Sequence, residues 1–201
     1  MIKTLPLGFL LLALLPGGAW AQLIQNSDFF FLFGPRSIPS QVVPGTNATV
    51  YGATLLGDSV GYGYQVARRS AASLWLEYVP AFAVHGISTA SIPGSVDNSF
   101  NAFTLGVRIM IPVQSRISVY GALGGGGGWF HYAVVASDPS PNVTSNSTAH
   151  GVFDFGGGVD FRLSRHWSIR GEVRDFVSGA GLSGSTGVHH LLPVAGVALH
   201  F

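Results

Sequence analysis

The sequence predicts an all-β chain: an eight-stranded antiparallel up-and-down β-barrel that crosses a membrane with its strands. Three observations predict it. Several segments alternate apolar and polar residues with strict period 2, the signature of strands with two unlike faces. Charged residues make up 9% of the 201 residues and hydrophobic ones 47%, where an ordinary soluble domain carries about a quarter charged residues. The connections between the alternating segments are in turn short and long, as in barrels that span a membrane.

The same composition excludes several classes. Disorder needs high charge and low hydrophobicity. Ten Lys and Arg against nine Asp and Glu give a formal net charge of +1, which lacks the basic surplus of a nucleic-acid binder. With no cysteine there is no disulfide framework and no thiolate metal site.

In chain order, residues 1–21 read as a secretory signal peptide. Lys3 supplies the positive start, Leu5 to Leu15 the apolar run, and Ala19-Trp20-Ala21 the small-x-small cleavage site. Cleavage leaves residues 22–201 as one barrel domain, with nine Arg, no Lys and nine acids. No later stretch reaches 18 consecutive apolar residues, so no transmembrane helix is expected.

Eight strands are expected, roughly at 28–34, 57–67, 73–84, 100–112, 116–132, 150–163, 167–178 and 191–201. In the fourth, Phe103, Leu105, Val107, Ile109 and Ile111 alternate with Thr104, Gly106, Arg108 and Met110. In the sixth, Phe153, Phe155, Val159 and Phe161 alternate with Asp154, Gly156, Gly158 and Asp160. In the seventh, Trp167, Ile169 and Val173 alternate with Ser168, Arg170, Glu172 and Arg174. Strands of about ten residues suit a tilted bilayer span.

Residues 68–72, 113–115 and 164–166 are short turns, and 35–56, 85–99, 133–149 and 179–190 are long polar loops. An even strand count puts both termini on the short-turn side, the periplasmic side of such barrels. The 164–166 turn opposes Leu163 to Trp167, Phe161 to Ile169 and Asp160 to Arg170, so both faces sort correctly. The 113–115 turn is expected to oppose Ile111 to Ile117 and Ile109 to Val119.

The candidate functional residues are charges on the less apolar face. Glu77, Arg108, Asp160, Arg162, Arg170, Glu172 and Arg174 form the expected lumen charge network, with Asp28 and Asp154 in the same phase. An arginine facing lipid at mid-bilayer costs about 2–4 kcal/mol, whereas inside a narrow barrel it can pair. The expected result is a salt-bridged plug; the rival is a narrow polar channel.

Other motifs carry less. The glycines at 124–128 precede more strand, not the helix a phosphate loop needs, and read as space for neighbouring side chains. His85, His131, His150, His189 and His190 gather near the loop end, but His131 and His150 fall in opposite phases, so no metal site is expected. No nucleophile, base and orienting group share a face, so no enzymatic activity and no cofactor are expected. Phe82, Phe103, Trp129, Phe153 and Phe155 suit an aromatic girdle at the loop end; Phe161, Trp167 and Phe201 suit one at the turn end.

The closing Val197-Ala198-Leu199-His200-Phe201 alternates again and ends in an aromatic. With the block 156–176 and the Gly-rich strand ending Trp129-Phe130, this chain resembles the small OmpA/OmpX-type outer-membrane β-barrels. The resemblance covers essentially all of 22–201. It implies a bacterial outer-membrane location, outer-membrane lipid as the surroundings, and recognition of Phe201 by the barrel-assembly machinery. It specifies architecture more than activity. The function expected is an envelope barrel whose long extracellular loops serve adhesion or another surface recognition of an extracellular ligand, with no nucleic-acid partner. The rivals are a narrow pore and a soluble lipocalin-like carrier.

Overall fold

A computed structural model of the chain describes residues 26–38, 41–42, 49–50, 53–83, 86–89, 94–136, 143–179 and 187–201. The signal peptide read at 1–21 lies outside the described residues. Eight long strands build one closed sheet. They are β1 (Ser27–Ile38), β2 (Ala53–Arg68), β3 (Ser73–Ala83), β4 (Gly94–Pro112), β5 (Ile117–Ala136), β6 (Val143–Arg162), β7 (Trp167–Ser178) and β8 (Val188–His200). Each strand pairs antiparallel with the next, and β1 pairs with β8, so none of these eight is left as an edge. Gly86–Thr89 continues the pairing of β3 along β4, and Gln41–Val42 pairs with Thr49–Val50 between β1 and β2.

Register fixes the barrel's shape. From His200 the register partners run through Asp28, Gly63, Glu77, Gly106, Gly124, Asp154 and Phe176 to His190. One circuit thus returns to β8 ten residues from its start, a shear of ten. Eight strands with that shear tilt about 40° and enclose a space wide enough for inward side chains and little else.

Alternation then sorts the chain into two surfaces. Phe29, Phe31 and Phe33 of β1 point out, as do Leu105, Val107, Ile109 and Ile111 of β4 and Trp167, Ile169 and Val173 of β7. Phe103 to Ile111 alone covers about 20 Å along the axis at about 3.4 Å per residue and that tilt, most of an apolar band of about 25 Å. Seven girdle aromatics, from Phe103 and Trp129 at the loop end to Phe161, Trp167 and Phe201 at the turn end, are exposed on this surface. The side chain of Phe82 lies outside the described residues. A soluble carrier would be sorted the other way, with its apolar face inside, so the lipocalin-like alternative fails.

Two expectations are corrected. Ile111 pairs with Val119 and Ile109 with Gly121, two residues from the expected register. Hydrogen bonds between Gln114 and Ile117 close a tighter turn with Ser115 and Arg116 at its tip. A shift of two preserves the faces, because side chains repeat with period 2. The other turn holds its register, with Phe161 opposite Ile169 and Asp160 opposite Arg170. There Ser164 Oγ accepts from the Trp167 backbone N–H at 3.1 Å. The second correction concerns the loop end. β5 runs to Ala136 and β6 begins at Val143, so much of the stretch read as a loop from 133 to 149 is strand.

Candidate functional site

The lumen is where this sequence concentrates its buried polar groups. On β7, Ser168, Arg170, Glu172, Arg174, Phe176 and Ser178 all point inward and are buried. A single strand therefore lays three charges in a row up one wall. The other walls supply partners: Asp28 from β1, Glu77 from β3, Arg108 from β4, Tyr120 from β5, and Asp154 and Asp160 from β6.

These groups form one continuous chain of contacts. Asp160 Oδ2 accepts from Arg170 Nε at 3.0 Å and Nη2 at 2.8 Å. Arg170 Nη2 also lies 2.7 Å from Asp28 Oδ2, which pairs on its other side with Arg108 Nη2. Arg108 Nη1 stands 3.0 Å from Glu77 Oε2, close enough for an ion pair though poorly aligned for a hydrogen bond. Glu77 Oε1 meets Arg174 Nη2 at 2.6 Å. Arg174 reaches Asp154 at 2.8 Å and Glu172 at 2.7 Å. The Tyr120 hydroxyl donates to Glu172 at 2.7 Å. Three guanidinium groups thus hold five carboxylates, and the planar fork of arginine allows each to serve several. Aromatic faces complete the seating: Arg108 lies 5.0 Å from the centre of the Trp75 ring, and Arg170 lies 4.8 Å from that of Phe30.

Glycine makes room for the belt. A Cβ at Gly63 would strike Asp28 Oδ1 and lie 2.8 Å from Arg108 Nη2; one at Gly124 would strike the Asp154 carboxylate. The Tyr120 ring lies against Gly158, where a Cβ would sit 2.6 Å from its Cζ. Several inward glycines are therefore the counterpart of inward charges on neighbouring strands.

Above the belt the lumen is apolar. Leu32, Val79, Phe100, Phe176 and Leu192 are fully or almost fully buried there. Phe100 packs edge-on to Phe176 at 6.5 Å and stacks on His190 at 4.5 Å. Arg36, 2% exposed, lies 4.0 Å from the Phe100 ring centre and donates from Nη1 to the Phe100 carbonyl at 2.8 Å. Among the described residues it has no carboxylate partner, and its Nε and Nη2 make no hydrogen bond.

Of the residues singled out in the sequence, Glu77, Arg108, Asp160, Arg170, Glu172 and Arg174 come together. Arg162 does not join them: it shares their phase but sits exposed at the turn end with no ion pair among the described residues. Phe201 exchanges backbone hydrogen bonds with Ser27 at the barrel seam and is 42% exposed. Sequence reasoning missed Arg36, Tyr120 and the apolar plug. The signal for the plug was present, since Phe176 continues the inward phase of Arg170 and Arg174. His189 lies outside the lumen, 2.6 Å from Asp175. His85 and the side chain of His131 lie outside the described residues.

No known family's sequence profile matches the chain, and no curated protein matches it. Solved structures do. Ail, the attachment invasion locus protein of Yersinia pestis, is 14% identical, with 88% of this chain and 99% of that chain covered and a TM-score of 0.52. Neisserial surface protein A is 14% identical, with 87% and 97% covered and a TM-score of 0.57. The likeness is one of fold: this chain shares with these outer-membrane proteins a closed eight-stranded antiparallel barrel.

Proposed function

We propose that the protein is a closed, non-catalytic anchor in the bacterial outer membrane that presents its loop end for recognition of an extracellular partner. One observation carries this reading: the lumen is filled in two successive layers, the ion-paired belt and the apolar plug. A filled lumen leaves the outer surface and the ends of the barrel for function. The belt carboxylates are committed to arginines, which argues against acid or base chemistry there. The exposed apolar band supports a lipid surrounding. Phe201, at the seam with Ser27, is the residue we assign to recognition by the assembly machinery. Phe201→Ala should lower membrane insertion in cells far more than it lowers refolding into detergent; equal losses would reduce it to a structural residue.

Adhesion is the specific form proposed for the loop end; Ail, of like fold, is by name an attachment invasion locus protein, which supports the choice. Much of the loop sequence lies outside the described residues. The test is to display the full chain on a non-adherent bacterium and measure attachment to cultured cells. Attachment should appear, and should vanish when 84–93 and 137–142 are replaced by short turns while the barrel still shifts its gel mobility on heating. No attachment by the full chain, or attachment indifferent to the loops, would overturn the reading.

A further inference from the structure

The nine arginines of the chain fall into two groups. Arg36, Arg108, Arg170 and Arg174 are buried in the lumen. Arg68, Arg69, Arg116, Arg162 and Arg165 are all exposed, and all line one cavity of about 810 Å³ at the turn end. Three different turns and their flanking strand ends deliver them. Asp160 is the one acidic side chain among the described residues lining that cavity, and its Oδ2 is already held by Arg170. Among the described residues none of the five rim arginines has a carboxylate partner.

Two of them are aimed inward by the backbone. Arg162 shares the inward phase of Asp160 and lies opposite Ser168. Arg68 would face outward by simple alternation from Gly61 and Gly63. The register shift between Gln65 and Ala67 on β2 reverses the phase and sets Arg68 opposite the inward Ser73. A bulge that re-aims a side chain is a recurrent device at barrel rims. Here it turns a cation toward a mouth that already holds cations. Trp75 and Met110 also line the cavity, and the Arg108 guanidinium of the belt lies 5.0 Å from the centre of the Trp75 ring.

Five like charges facing one concavity give it a positive potential that concentrates anions there. We propose that this vestibule binds a multiply charged anion of the phosphate class. Guanidinium forks match phosphate oxygens in pairs, and the volume is that of a small-molecule site. The phosphate could come from a soluble oligophosphate or from an anionic phospholipid headgroup at the rim. The inference concerns the end opposite the loops and does not rest on adhesion.

The full chain in zwitterionic detergent at low salt, titrated calorimetrically with inorganic tripolyphosphate, tests it. Saturable binding at one site is expected. It should weaken at least tenfold in the double variant Arg68→Gln with Arg162→Gln, and also at high salt. Both positions are exposed, and a retained heat-induced gel shift in the variant shows that the barrel still closes. Competition by cardiolipin in mixed micelles assigns the phosphate to a headgroup; binding indifferent to cardiolipin assigns it to a soluble ligand. No saturable binding, binding unchanged in the double variant, or tighter binding of a hexaglutamate peptide by the same arginines would overturn the proposal.

Discussion

Arg170 and Arg36 are both buried in the barrel, yet their removal should have opposite consequences. Arg170 is held between Asp160 and Asp28, so Arg170→Ala leaves Asp160 without its cation and Asp28 with only Arg108. Breaking a buried pair from one side costs about 3–5 kcal/mol. Arg36 has one carbonyl hydrogen bond and the face of Phe100 to offset the burial of its charge. Arg36→Met keeps an apolar stem beside Leu192 and Phe100 and removes an unpaired charge, so stability should change by less than about 1 kcal/mol or rise. Urea unfolding in detergent micelles, followed by loss of the heat-shifted gel band, measures both. If Arg36→Met destabilised as strongly as Arg170→Ala, Arg36 would have to hold a partner beyond the contacts described here.

At the scale of strands, glycine position separates required space from spare space. Gly124→Val would drive a side chain into the Asp154 carboxylate and should cost about 1–3 kcal/mol or more. At Gly171, on the outward face of β7, nothing lies within 4 Å of an added Cβ, so Gly171→Ala should be neutral or slightly stabilising. Equal losses in the two variants, read by the same unfolding assay, would mean that backbone freedom rather than space is what β5 and β7 need. The contrast also shows what the sequence made legible. β3 and β7 were readable almost to the residue because one face is apolar and the other carries the charged belt along their length. β5 and β6 were cut short at the loop end because the sequence of 133–136 and of 143–149 no longer alternates apolar with polar residues. Pairing continues there, but the alternation that reveals it does not. The belt was legible because charge stands out on one face of a strand whose other face is apolar. The plug was only partly so: Phe176 continues the inward phase of β7, but an inward Phe100 or Leu192 looks like a lapse in the pattern. Arg36 lay behind Pro35 in a segment read as loop, where no phase could be assigned.

For the whole molecule, belt and plug should act as two seals in series along one axis, with conduction through the lumen limited by whichever remains. The unsubstituted protein should show small or no current steps in planar bilayers despite its open turn-end vestibule. Phe176→Ala thins the plug but leaves Arg174 clamped by Glu77, Asp154 and Glu172. Arg174→Ala breaks the belt but leaves Phe100, Phe176 and Leu192 packed above it. Each single variant should therefore stay nearly silent, and only the pair should open a measurable path, provided that its gel band still shifts on heating. Silence in both single variants and current in the double is the pattern that two independent seals require. Steady large steps from the unsubstituted barrel would mean that neither layer closes the lumen, and the narrow-pore reading would replace the anchor.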